Sequence, residues 1–402
     1  MTLRLMTAGE SHGPALVTIL DGMVAGLPLK AEEIDRELRR RQLGYGAGPR
    51  MKIEKDAVRI LGGVMGGRTT GAPLALLIAN VEHARWRGRP VAPMTAPRPG
   101  HADLSGTLKY GLTDLRPALE RASARETASR VAAGAVCKVF LAQFGIQVGG
   151  YIVSIGEVDA ECEAMAYAER LERAEQSDVR CPDEAAAGRM RQRIRRVMQE
   201  KDTLGGVLEV VALGLPPGLG SYAQWDRRLE ARLGAALLSV QAIKGVEIGP
   251  AFANARRSGT QVQDAITLAP RPSPIGGGDG VRGDLVRPTD RAGGTEGGIS
   301  TGQPLVLRAA MKPIATTLTP QSTVDLARGE EALTKYERSD FCPVPRAVPI
   351  LEAMVAFVLA DALCEKLGGD SLGEMLPRFA SLRRAKLEDL PMEDSAQVWW
   401  PG

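Results

Sequence analysis

The chain has 402 residues, 44% hydrophobic and 25% charged, the composition of a folded protein with a large core and not of a disordered one. Its 51 lysines and arginines stand against 48 aspartates and glutamates, a formal charge of +3, and 4% of residues are aromatic. That balance excludes a protein that mainly coats nucleic acid, and the aromatics are too few for a single-strand stacking platform.

TLRLMTAGESHGPALVTILDG opens the chain as two short strands around a glycine-rich turn, with no apolar stretch of signal-peptide length. After GLPL, the segment AEEIDRELRRRQ places Ile34 and Leu38 four apart among charges, an amphipathic surface helix. Its RRRQ end reads either as a solvated terminus favoured by the helix dipole or as an anion contact. GYGAGPRMKIEKDAVRILGG is loop, then strand, and TTGAPLALLIAN is an apolar strand bounded by Gly and Pro. From Val81 to Lys109 the chain is rich in Pro, Arg and Gly without periodicity, a loop of a length usually kept for function. In SARETASRVAAGAVCKVFLAQ (123–143), Ser123 and Glu126 form the capping-box signature of an apolar helix. Residues 161–201 are polar and helical, a solvated excursion that carries the basic helix RMRQRIRRVMQEK. Residues 346–367 form a second buried helix, whose Glu352 and Asp361 argue for a protein core and against a membrane. Residues 385–402 read as a flexible tail. Five cysteines without a C-x-x-C, and only three histidines, offer no metal site and no disulfide framework, and fit a reducing cytoplasm.

The chain repeats itself. GGVMGGRTTGAPLAL (62–76) and GGTEGGISTGQPLVL (293–307) agree at nine of fifteen positions, with Thr69 facing Ser300. Upstream, GLP (26–28) then IDREL (34–38) is echoed by GLP (214–216) then WDRRL (225–229). The matches keep one order, so the expectation is an internal duplication with halves at about 1–80 and 203–310, within a single α+β body over 1–384.

The chemistry-bearing groups lie mostly in glycine-rich turns. AGESHGPA holds His12 and RPGHAD holds His101, each either a structural hydrogen-bonder or an acid–base group. Arginines gather nearby at 39–41, 50, 98, 116, 121 and 125, and their planar forks suit carboxylate and phosphate. The SARET helix start is a further anion site beside Arg125. GGVMGG and GGTEGG lack the pattern of a phosphate loop. Lys312 follows an apolar strand, and Asp340 sits in a loop before the second helix. These residues alone indicate an enzyme acting on a small polyanion by histidine acid–base chemistry, with a non-catalytic anion-binding protein as the rival. An RNA-binding protein using the 188–201 helix is disfavoured by the charge balance.

Taken together, AGESHG, RRRQ, GYGxGxRM, TTGAP, RPGHAD, SARET, DTLGGV, GLGSYAQWDRRL, QAIKGVE, GGTEGG, MKPI and ERSD resemble the chorismate synthase family, in its order, from residue 7 to about 365. The resemblance implies a β-α-β sandwich, two antiparallel sheets around helices, usually assembled as a homotetramer. It implies an anti-1,4-elimination of phosphate from 5-enolpyruvylshikimate 3-phosphate, dependent on reduced FMN, with NADPH one candidate reductant and no nucleic acid, membrane or metal involved. It assigns catalysis to His12 (proton to the phosphate), His101 (on the flavin), Asp340 (the C6 proton), Ser11 and Ser123. FMN contacts fall to Ser123, Ala124, Arg125, Gln241, Ala242, Gly297, Lys312, Pro313, Ile314, Ala315, Thr316 and Arg338, and substrate or NADP contacts to Arg41 and Arg50. Three positions depart from the family pattern: Ala47 replaces an arginine, Glu82 replaces an aspartate, and Gln241 replaces an asparagine. A neighbour such as Arg40 or Arg50 would have to compensate for Ala47.

Overall fold

The computed structural model describes residues 2–47, 55–269, 284–336 and 339–400. The first half runs β1 (Arg4–Ala8), β2 (Ala15–Asp21), α1 (Ala31–Gln42), β3 (Val58–Gly62), a β4–β5 hairpin (Val64–Met65, Arg68–Thr69) and β6 (Leu74–Ala79). These form an antiparallel sheet in the order β1-β2-β6-β3. Its strands alternate: Leu16, Thr18 and Leu20 of β2 and Leu74, Leu76 and Ile78 of β6 are buried, and the residues between them are less so, as expected of a sheet with one face on the core.

The connecting segment carries α2 (His83–Trp86), α3 (Asp103–Tyr110), α4 (Arg116–Ala122) and α5 (Thr127–Ala142), so the long loop expected from Val81 to Lys109 contains two short helices. Then come β7 (Gln147–Ile155), β8 (Val158–Asp159), α6 (Tyr167–Gln176) and α7 (Glu184–Glu200). The second half follows: β9 (Gly206–Leu213), α8 (Leu229–Leu238), β10 (Ile243–Ile248), α9 (Ala251–Asn254), α10 (Gly259–Val262), β11 (Thr267–Leu268), β12 (Leu285–Val286), the β13–β14 hairpin (Thr295–Glu296, Ile299–Ser300) and β15 (Leu305–Met311). The β16–β17 hairpin (Ser322–Asp325, Glu330–Leu333), α11 (Val344–Leu367) and α12 (Leu372–Ala380) close the chain. The second sheet is antiparallel in the order β10-β15-β9-β7-β8.

Helix α5 packs on β2 and β6 of the first sheet, α11 packs on β7 and β9 of the second, and the two helices pack on each other. Gly134 makes that last contact close: a Cβ there would lie 2.2 Å from the Ala353 methyl. Helix α11 is long and apolar enough to cross a membrane, but 94% of its most apolar window is buried inside the protein, so it is the core helix expected for 346–367. The segment 161–201 is less solvated than its composition implies. Leu171 and Ala174 of α6 cover Tyr151 and Val211 on the outer face of the second sheet, and α7 buries Met190, Ile194 and Val197. The α7 arginines stay at the surface, paired with Asp178, Glu157, Glu200 and the Tyr45 hydroxyl.

In the orders β1-β2-β6-β3 and β7-β9-β15-β10, the strands that follow the two double-glycine motifs, β6 and β15, each stand third. The Thr69 hydroxyl donates to Val24 O (2.6 Å) and accepts from Leu27 N (2.9 Å); the Ser300 hydroxyl donates to Pro216 O (2.7 Å) and accepts from Leu219 N (2.9 Å). These bonds correct the register of the upstream echo. GLP (26–28) corresponds to GLG (218–220), not to GLP (214–216), and WDRRL forms the turn that leads into α8 whereas IDREL lies within α1.

Candidate active site

The turn after β1 closes through Gly9. Its φ is +108°, and a Cβ there would sit 2.3 Å from the Ala15 carbonyl oxygen, so the position requires glycine. The turn sets Ser11 and His12 against the end of α4. Ser11 N donates to Glu120 O (3.2 Å) and His12 N donates to Glu120 Oε2 (2.8 Å). His12 Nδ1 lies 2.8 Å from Glu120 Oε1, its ring stacks on Trp86 at 4.5 Å, and its Nε2 is 4.0 Å from Glu82 Oε2. Burial opposes the charge on Glu120, but bonds and charge from His12, with Arg116 adding, hold its carboxyl below the ordinary range.

Glu120 stands three residues before Ser123, where the next group begins. Ser123 Oγ donates to Ser11 Oγ (3.2 Å) and accepts from Arg125 N (3.3 Å), capping a single 3-10 turn before α5. The expected capping box does not close, because the Glu126 carboxylate accepts from Thr7 Oγ1 (2.8 Å) and Arg130 Nε (3.0 Å) instead. Arg125 turns inward, to Asp56 Oδ1 (2.5 Å) and Asn80 Oδ1 (2.9 Å). Arg41 reaches the same Asp56 (3.2 Å), Thr127 Oγ1 (3.0 Å) and Ala124 O (3.2 Å). Arg346 donates to Arg41 O (3.0 Å) and to the Asp340 carboxylate. The Arg41, Arg125 and Arg346 guanidinium groups thus gather around Asp56 and Asp340. Burial, outweighing the attraction of Asp56 and joined by repulsion from Arg346 and Arg125, pulls Arg41 down to about 9.

His101 has a separate cradle. Its Nδ1 lies 2.5 Å from Asp103 Oδ1 and 3.0 Å from Arg98 Nη2. Asp103 is fully buried. Burial opposes its charge, yet bonds from His101 and Arg98 hold it well below the ordinary range. Arg98 also donates to Thr316 Oγ1 (3.0 Å), and Lys312 Nζ to Gly100 O (3.4 Å), so the 312–316 segment lies against the His101 loop. Lys312 N donates to Ala242 O (2.9 Å), and Ala242 holds φ +66°, a left-handed conformation costly for a residue with a Cβ. Gln241 Nε2 reaches Glu126 Oε2 (3.4 Å), while its buried Oε1 has no partner among the described residues. The chain of contacts Glu126–Gln241–Ala242–Lys312–Gly100 therefore ties the His101 loop to the same helix start that receives His12 and Asp340.

Several expected site residues fall elsewhere. Arg41 and Arg125 are buried, with guanidinium groups hydrogen-bonded to protein in the fold. Gly297 lies in the β13–β14 turn beside the start of α8. Lys312 follows the last residue of β15, after Met311. Arg40 is engaged by Glu37, Glu175 and Glu352 and does not replace an arginine at Ala47. It lines a cleft of about 390 Å³ with Lys138 and Glu175, away from both histidines. Arg50 and Arg338 lie outside the described residues. Sequence reasoning missed Glu120, Asp103 and Asp56. For Asp103 the signal was present in RPGHAD, a carboxylate two residues after the histidine; for the other two only the folded chain supplies it.

Comparison with known proteins gives one answer. The model of the family described as chorismate synthase matches residues 3–364. A chorismate synthase of Symbiobacterium thermophilum is 52% identical over 392 residues, covering 94% of this chain and 97% of its own. One of Aquifex aeolicus is 51% identical, covering 94% and 96%. A crystal structure of a chorismate synthase superposes with a TM-score of 0.75 at 44% identity, covering 94% of this chain and 97% of that one. With sequence, fold and both histidine motifs in agreement, this chain belongs to the chorismate synthase family.

Proposed function

We propose that the chain converts 5-enolpyruvylshikimate 3-phosphate to chorismate by 1,4-elimination of phosphate, with reduced FMN bound. The observation that carries this reading is convergence: Ser11–His12, Asp340 through Arg346 and Arg41, and His101 through Lys312 and Gln241 all lead to residues 123–127. Arg41, Arg125 and Arg346 gather with Asp56 and Asp340 behind this helix start, and arginine forks suit a polyanionic ligand.

The residues fit a flavin phosphate: Lys312 offers a cation beside the Gly100 backbone, and the unpartnered Gln241 Oε1 offers a buried acceptor for a ring N–H. Reduced FMN supplies transient electron density to the substrate without net redox change. His12 gives a proton from its ring to the departing phosphate, supported by Ser11 and Ser123. Asp340, held by Arg346, carries away the proton lost from C6. His101, backed by Asp103 and Arg98, bonds the flavin. Ser123–Arg125 backbone, Gln241–Ala242 and Lys312–Thr316 form its cradle, with Arg338 and Arg50 completing the flavin and substrate contacts. Gly297 belongs to this site only as a contribution from a second copy.

We also read the two sheets and the helices between them as a β-α-β sandwich of duplicated halves within 1–384, followed by a loose tail. The active form is a homotetramer, which covers exposed side chains such as Tyr222, Trp225 and Phe252. All five cysteines are free and buried, in keeping with a cytoplasmic enzyme. Anaerobic assay of chorismate formation with chemically reduced FMN, and separately with NADPH and oxidised FMN, tests the reading. Turnover with reduced FMN is expected to fall about 10²–10⁴-fold in both His12→Ala and His101→Ala. Flavin binding should change only in His101→Ala, and equal flavin affinity in both variants would refute the assignment.

A further inference from the structure

Both histidines carry a carboxylate on Nδ1, but the two pairs are wired differently. At His101, Nδ1 has an acceptor, Asp103 Oδ1 at 2.5 Å, and a donor, Arg98 Nη2 at 3.0 Å. At His12 the same nitrogen meets Glu120 Oε1 at 2.8 Å, and an ionised carboxylate only accepts. The other oxygen of Glu120 takes the backbone N–H of the same residue, also at 2.8 Å. One carboxylate therefore grips His12 at both its main chain and its ring. Trp86 closes one face of the ring, and His83 Nδ1 lies 3.1 Å from the His12 carbonyl oxygen. Nε2 is left on the side of Glu82, whose oxygen at 4.0 Å is beyond hydrogen-bond reach.

We propose that Glu120 is the positioning residue that selects the reacting nitrogen of His12. It keeps the proton of the neutral ring on Nδ1 and presents Nε2 as the atom that gives and regains a proton. This rests on the reading of His12 as the acid for the departing phosphate. The step balances. As the substrate C–O bond breaks, its electron pair leaves with the phosphate, which takes the proton from Nε2 of the imidazolium. The ring is left neutral with Nδ1–H on Glu120, and solvent returns a proton to Nε2 after phosphate departs.

The informative substitution is Glu120→Gln. A glutamine has one carbonyl oxygen, so it cannot take the backbone N–H and Nδ1–H on separate oxygens as the carboxylate does. With its oxygen on the backbone N–H, its amide donates to Nδ1 and drives the neutral ring to the Nε2–H tautomer. The equivalent exchange in a serine protease triad costs about 10⁴ in kcat through the wrong tautomer.

The experiment uses the full chain labelled with [15N]histidine, whose three histidines are assigned with His83 and His101 variants. The ring nitrogens report the tautomer without flavin or substrate. In the wild type, neutral His12 is expected as Nδ1–H; in Glu120→Gln it shifts to Nε2–H, kcat falls at least about 10²-fold and KM changes little. Glu120→Asp keeps a carboxylate, so it should retain Nδ1–H and recover much of the turnover. A Glu120→Gln enzyme within threefold of wild-type kcat overturns the proposal, and so does lost turnover with an unchanged tautomer. If Glu120→Gln fails to fold, an Nε2–H ring in Glu120→Asp overturns it alone. His12→Ala assayed alongside separates the two levels: retained turnover there refutes the acid role itself. Loss there with none in Glu120→Gln refutes only the positioning role.

Discussion

Asp56 is the residue whose loss the scaffold should feel most. It is buried, and its two oxygens divide between Arg125 Nη1 at 2.5 Å and Arg41 Nη1 at 3.2 Å. At an effective dielectric of about 20, each such pair gains about 4 kcal/mol of attraction or slightly more. Returning the carboxylate to water recovers several kcal/mol, which brings the net cost of removing one partner to about 3–5 kcal/mol. Asp56→Asn keeps one acceptor oxygen, so a loss near the lower end, about 3 kcal/mol, is expected in urea unfolding at pH 7. The variant also carries a pH signature. Burial pulls Arg41 down to about 9 in the fold, below a free guanidinium. Above that pH the folded chain binds fewer protons than the unfolded one, so stability rises with pH. Removing Asp56 takes away the charge that holds the Arg41 proton, and the rise should begin below pH 9, where the wild type is still flat. A loss under about 1 kcal/mol with the wild-type pH trend would refute the account of Asp56 as the charge that unites the two arginines.

Gly134→Ala should destabilise the protein although alanine is the better helix former. The new methyl would lie 2.2 Å from the Ala353 methyl and 2.4 Å from its Cα, an overpacking cost of about 1–3 kcal/mol or more against a propensity gain of about 1. A thermal midpoint equal to or above the wild type would show that α5 and α11 separate without cost. Acid should loosen the same helix pair. Glu352 and Glu37 are buried, and although burial pushes each carboxyl up, Arg40 and Lys138 hold both below the ordinary glutamate value of 4.5. Their contribution is full above the unfolded pKa and is lost as pH falls through the lower folded values, at up to about 1.4 kcal/mol per pH unit for each group. Urea unfolding between pH 3 and 7 should show this fall below about pH 4.5, and Glu352→Gln should flatten it.

The parts of the fold that sequence reading reached are those where burial follows a period. Leu16, Thr18 and Leu20 alternate in β2, and Ile34 and Leu38 are four apart in α1, so each pattern fixes both the element and its inner face. Helix α11 is buried along nearly its whole length; composition marks it as core and no periodicity is needed. The reading failed where a local signal had a tertiary competitor. Ser123 and Glu126 have capping-box spacing, but Glu126 finds Thr7, which local sequence does not bring near, as well as Arg130 one turn on. The second GLP fails for a related reason. The turn that pairs with Ser300 is set by which backbone groups meet its hydroxyl, and Leu219 meets it although the Gly-Leu-Pro string lies four residues earlier.

The arginines show the same limit at the site itself. From sequence, Arg41 and Arg125 look like anion contacts because they are the charged members of site motifs. In the fold each is enclosed, and Asp56, Asn80, Thr127 and the Ala124 carbonyl take their donors. What they supply is the position of the helix start, held through those partners. On the proposed reading, the groups that touch a ligand are Ser11, Ser123, the histidine rings, Gln241 and the backbone around Gly100, with the partly exposed Lys312 as a cation. That division suits an elimination in which charge moves from carbon to phosphate within one site. Buried arginines fix the helix start, and movable protons at the surface of the site can follow the electrons.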